Sequence, residues 1–112
     1  MVLKNQKLAL NQIRDSANIK SIVKGVESDF SINGQTLIHS LGHGVGLEIH
    51  EAPIVGIKND TCLKENMIIT DEPGIYIAGN FGVRIEDTVL VTKKGAIALT
   101  ESDKECIIIE AL

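Results

Sequence analysis

The spacing of apolar positions changes once along this chain, near residue 35. Before that point it is helical. Residues 2–17 read as a helix, with Leu3, Leu10, Ile13 and Ala17 near one face and Lys4, Lys7, Asn11 and Arg14 between them. Asp15, Ser16 and Asn18 make a break. Residues 19–30 read as a second helix, in which Ile19, Ile22, Val23, Val26 and Phe30 form a stripe at helical spacing that Gly25 weakens. Neither helix carries chemistry of its own, and both are expected to cover a sheet.

Residues 31–35 form a turn around Asn33-Gly34, and strand patterns follow. Residues 36–39 are a predicted short strand, 52–56 and 58–60 are loops, and 67–70 are a buried strand. Glu72 precedes Pro73 and is therefore expected at a strand end, because the residue before proline favours extended geometry. Residues 75–77 resume as strand and 78–82 form a hairpin loop. The cleanest alternation runs over 83–92. Arg84, Glu86, Thr88 and Leu90 lie on one face, and Val83, Ile85, Asp87, Val89 and Val91 on the other. Lys93-Lys94-Gly95 turns the chain and 96–100 pairs back. Residues 100–103 could start a helical turn, and 106–109 close the chain as a last apolar segment. Two helices followed by about five strands predict an α+β fold, with helices on one face of a mainly antiparallel sheet.

Composition narrows the function classes. The chain has 112 residues, 44% of them apolar, enough for one domain with a modest core. A net charge of −4 and the lack of a basic stripe argue against nucleic acid. No apolar run approaches the ~20 residues of a membrane span, and the first residues lack a signal-peptide pattern. Cys62 and Cys106 match no metal or redox spacing and read as reduced thiols of a cytoplasmic protein.

The candidate chemistry is concentrated in residues 39–53. All three histidines, His39, His43 and His50, lie there with Glu48 and Glu51. Gly42, Gly44 and Gly46 alternate through the same stretch, each costing about 1 kcal/mol in a helix relative to alanine. Such glycines suit a backbone that bends sharply or passes close to another group. Imidazoles and carboxylates around such a backbone suggest a metal or catalytic centre. Glu72 and Glu86 are further candidates because each lies in an apolar strand context, where carboxylates are rare unless paired or on a metal. Glu86 has Arg84 beside it on the same face, whereas Glu72 has no local partner. Glu48, Glu51 and Asp87 read as structural. The zinc-protease patterns H-E-x-x-H and H-x-x-E-H are absent, and the glycine run is not a dinucleotide fingerprint. Spacing alone leaves structural histidines at a tight turn as an alternative.

Three blocks together resemble the metallopeptidases of the pita-bread fold, in their Xaa-Pro dipeptidase (prolidase) and Xaa-Pro aminopeptidase branch. The blocks are H-S-L-G-H-G-V-G-L-E-I-H-E-A-P from His39 to Pro53, T-D-E-P-G-I-Y from Thr70 to Tyr76, and G-V-R-I-E-D from Gly82 to Asp87. The resemblance covers roughly residues 36–112 and implies the C-terminal part of that fold, a curved, mainly antiparallel sheet covered by helices. It implies hydrolysis of the bond before proline by two divalent ions, manganese or cobalt and possibly zinc, with a bridging water as nucleophile. His43 would ligate one ion. Glu72 would ligate the same ion and take the proton of the attacking water. Glu86 would bridge both ions. His50 would contact the scissile amide, His39 would line the substrate pocket, and Arg84 would order Glu86 and the substrate end of the site. A carboxylate-rich set with an imidazole suits such ions, and two ions acidify water and stabilise an oxyanion.

The family's site also takes two aspartates from an upstream segment. Only Asp15 and Asp29 precede His39, and neither matches that motif. Residues 1–112 are thus expected to form a single partial catalytic domain, holding at most one ion weakly and showing little or no peptidase activity alone. Uncovered sheet would favour self-association or a partner chain. A non-catalytic interaction module derived from the same fold, or a methionine aminopeptidase-like fragment, is the alternative.

Overall fold

The computed structural model describes residues Met1–Leu112. Helix α1 spans Val2–Leu10 and α2 spans Ile19–Ile32. Seven strands follow: β1 Gly42–Gly44, β2 Glu51–Val55, β3 Ile68–Asp71, β4 Gly74–Ile77, β5 Phe81–Arg84, β6 Asp87–Thr92 and β7 Gly95–Ala98. Five form one sheet in the order β2-β1-β3-β6-β7, and β4-β5 is a separate hairpin. Every pairing is antiparallel, as the alternation predicts.

Helix α2 starts where Asn18 accepts a hydrogen bond from the Ser21 N–H at 2.9 Å, an N-cap that satisfies an otherwise unpaired donor. Its predicted stripe is the buried one: Ile19, Ile22, Val23, Val26 and Phe30 are all 2% exposed or less. They pack with Leu41, Val55, Leu63, Ile69, Val89 and Val91 into one core between the helices and the sheet. Helix α1 ends at Leu10, well before residue 17, and buries a different face. Val2, Asn5, Gln6 and Ala9 point inward, because Gln6 Nε2 donates to Asp87 Oδ2 at 2.7 Å and Asn5 Nδ2 to Asp29 Oδ2 at 2.8 Å. Two partnered amides take fully buried positions, while Leu10 is half-buried against the core.

The strand readings divide. Residues 36–39 form no strand, and residues 51–55, read partly as loop, are β2. Pro53 is accommodated because β2 is the sheet edge, where no ladder N–H is demanded of it. The run 83–92 is interrupted at Ile85 and Glu86, so that β5 pairs with β4 while β6 pairs with β3 and β7. Phe81 and Gly82 belong to β5 and not to the hairpin loop. Residues 100–103 form no helical turn, and Ile107, Ile108 and Ile109 are exposed outside any strand. No helix is long and apolar enough to cross a membrane.

Candidate metal centre

The end of β3 positions the chemistry. Successive side chains on a strand face opposite sides. Ile69 and Asp71 therefore point to the helices, while Thr70 and then Glu72 point away from them. Strand β1 pairs with β3 in the sheet, and the Glu72 N–H donates to the Leu41 carbonyl at 2.8 Å. A Cβ on Gly42 would fall 1.9 Å from the Thr70 carbonyl oxygen, so the position admits no side chain. Close backbone approach brings His43 to Glu72.

Thr70 organises the pair. Its hydroxyl accepts from the His43 N–H at 3.0 Å and donates to Glu72 Oε1 at 2.8 Å. The same Oε1 lies 3.2 Å from His43 Nε2, and Glu72 Oε2 lies 3.8 Å from Arg84 Nε. The His43 and Glu72 side chains are 17% and 13% exposed, so this is a half-closed corner reachable from one side. Glu72, with no partner evident from sequence, has three.

The hydrogen bonding fixes where the imidazole carries its proton. His43 Nδ1 is 2.9 Å from the Gly44 carbonyl, which can only accept, so Nδ1 bears the hydrogen. Nε2 then faces a carboxylate oxygen. A proton or a metal ion on Nε2 makes that approach favourable; with neither, two lone pairs oppose each other. This donor pair fits a divalent cation chemically, an imidazole fixed by a backbone carbonyl beside a hydrogen-bonded carboxylate.

The other predicted residues are less closely gathered. His50 is exposed, with its ring stacked obliquely on His43 at 4.3 Å between centroids. His39 lies against Tyr76, its ring 5.4 Å away edge-on. Glu86 is exposed and makes no ion pair, and no cluster of three or more metal-ligating side chains forms. Arg84, expected to order Glu86, faces Glu72 instead, because the break between β5 and β6 separates the two positions. Glu51 braces the loop: its Oε2 accepts from the Glu48 N–H at 3.2 Å, and a Cβ on Gly46 would meet its carboxylate. Thr70 and Tyr76 escaped the sequence reading. Both stand in the T-D-E-P-G-I-Y block, and an uncharged hydroxyl gave no signal beside charged neighbours.

Directly behind the site, Asp71 is fully buried, and neither of its carboxylate oxygens has a partner. Burial, and then the charges of Asp87 and Glu72, push its pKa from 3.8 up to about 8. Asp87 is its neighbour in the ladder and is compensated by Gln6, Thr100 and Lys104.

The comparisons with known proteins bear on the family and the fold. The model of metallopeptidase family M24 matches residues 1–93. The chain is 47% identical to the Xaa-Pro dipeptidase of Pyrococcus furiosus over 110 residues, covering 96% of this chain and 31% of that protein. Among solved structures, the prolidase from Pyrococcus furiosus superposes with a TM-score of 0.88 at 47% identity, covering 92% of this chain and 31% of its own. The Xaa-Pro dipeptidase from Bacillus anthracis gives 0.92 at 42% identity, with 96% and 31% covered. The chain thus spans about a third of the relatives it matches, and its sheet and helices are a portion of the pita-bread fold. On the family match and on the similarity along nearly its whole length, this chain belongs to metallopeptidase family M24.

Proposed function

We propose that these 112 residues supply part of the active centre of a metal-dependent peptidase that cleaves the bond before proline. The observation that carries this reading is the His43–Glu72 pair, locked by Thr70, with Nε2 3.2 Å from a carboxylate oxygen. His43 and Glu72 would hold a divalent ion, and Glu86 would complete its shell. A bound divalent ion lowers the pKa of water and polarises a carbonyl. The chain's own groups do the rest. Glu72 stands ready to accept a proton at Oε2, since Oε1 is engaged by Thr70. Arg84 supplies positive charge beside it. His50, with no hydrogen bond on either nitrogen, is free to meet a substrate amide.

The residues form one partial catalytic domain, with two further carboxylates contributed from outside residues 1–112. Exposed apolar side chains support a covering chain or segment over the same region: Ile54 on edge strand β2, Leu47 and Ile49 beside it, and Phe81 and Val83 on the hairpin. The 112-residue chain, incubated with manganese and an Xaa-Pro dipeptide, should show no more turnover than its His43→Ala variant. Turnover that requires both His43 and Glu72 would mean the 112 residues hold a complete site.

A further inference from the structure

The three histidines differ in how many nitrogens they have left to offer, and Tyr76 makes the difference. His39 Nδ1 lies 2.8 Å from the Ser40 carbonyl, so Nδ1 carries the hydrogen and donates it. Its Nε2 lies 2.9 Å from the Tyr76 hydroxyl. With Nδ1 protonated, the neutral ring keeps a lone pair on Nε2, and the Tyr76 O–H must be the donor. His39 is therefore engaged at both nitrogens. His43 is engaged at Nδ1 by the Gly44 carbonyl and faces Glu72 Oε1 with Nε2, and His50 is engaged at neither nitrogen.

Tyr76 is seated for this task. On β4 its ring lies across the hairpin, over Gly74 and over Gly82, its register partner on β5. A Cβ on Gly74 would fall 2.5 Å from the Tyr76 hydroxyl, and one on Gly82 would fall 2.7 Å from Cδ1. Two positions without side chains thus form the bed on which the ring lies flat, and its edge-on contact with His39 completes the seat. A hydroxyl held this way has little freedom to bond elsewhere.

We infer that Tyr76 is a positioning residue whose hydroxyl caps His39 Nε2, leaving His39 no nitrogen for a substrate and giving substrate hydrogen bonding to His50. The division of roles between histidines rests on the peptidase reading above; the cap itself does not. It gives a physical basis for the division that the resemblance implies, in which His39 lines the pocket with its ring and His50 bonds.

The test uses the metal-free chain and diethylpyrocarbonate, which acylates imidazole nitrogens bearing an available lone pair. The modification rate at each histidine is read by peptide mass spectrometry. In the wild type His39 should react more slowly than His50. In Tyr76→Phe, which keeps the ring and loses the hydroxyl, His39 should react about fivefold faster, the factor matching loss of one hydrogen bond. His50 should be unchanged. Gly82→Ala keeps the hydroxyl but lifts the ring, and should release His39 in the same way. The 15N shift of His39 Nε2 should move in both variants while that of His43 stays. Equal His39 rates in wild type and Tyr76→Phe would overturn the cap. A rise at all three histidines would mean that Tyr76 only holds the fold together, and would equally overturn it. Because no metal is present, failure of the peptidase reading leaves these outcomes unchanged.

Discussion

The two faces of the sheet at the end of β3 hold carboxylates one residue apart under opposite conditions. On the outer face Glu72 stands at 13% exposure with a hydroxyl, an imidazole and a guanidinium around it. On the helix face Asp71 is fully buried and has no partner on either oxygen. The first arrangement keeps a charge usable at a reachable corner. The second makes charge costly, since a buried carboxylate without hydrogen bonds favours its neutral form. A strand's two-residue period is enough to separate these environments by one peptide unit.

The largest effect is expected where the outer face is tightest. Gly42→Ala places a Cβ against the Thr70 carbonyl, a backbone atom that cannot swing aside. It should cost about 3 kcal/mol of stability, the upper end for overpacking, read from denaturant melts. A neutral outcome would mean that β1 and β3 sit farther apart than described.

Next comes Asp71. Its folded pKa of about 8 lies above the ordinary 3.8, so the folded state holds a proton that the unfolded state has released. The stability it allows is complete below 3.8 and is lost as pH rises through about 8. Asp71→Asn removes that dependence and should stabilise the metal-free chain by about 2 kcal/mol at mildly alkaline pH, with no gain near pH 4. Parallel pH profiles for the two proteins would contradict the buried, unpaired state.

Thr70→Val removes the hydroxyl shared by His43 and Glu72 while keeping the side-chain shape. It should cost about 1–2 kcal/mol, since two half-buried groups lose their partner. The smallest effect is expected for Arg84→Ala. Arg84 is half-exposed and 3.8 Å from Glu72, so thermal melts should move by less than about 0.5 kcal/mol. A loss exceeding that of Thr70→Val would show that the outer face depends on charge more than on Thr70.

Asp71 gave no signal in the sequence, whereas much of the fold around it could be read there, and the parts that could not have definite causes. The α2 stripe and the alternation of Asp87, Val89 and Val91 emerged because burial sets their period. The same alternation continues unbroken through Val83 and Ile85, yet the chain changes sheets there. Periodicity reports which face a residue takes and is silent about which strand it pairs with. Pro53 disguised an edge strand as a loop. Burial of Asn5 and Gln6 gave no signal because their partners, Asp29 and Asp87, lie 24 and 81 residues away. His43 and Glu72 were legible through the resemblance, but the threonine between them and the tyrosine on His39 needed coordinates. The exposed position of Glu86 is a further feature that a pattern could not carry.

The central claim is that His43 and Glu72 form a divalent-cation corner. Titration of the 112-residue chain with manganese by calorimetry tests it most directly, alongside His43→Ala and Glu72→Gln. The account predicts no more than one weakly held ion per chain in the wild type, and none in either variant. Binding that survives both substitutions would contradict the assignment of the corner, and two tightly held ions would contradict the claim that ligands outside these residues are needed.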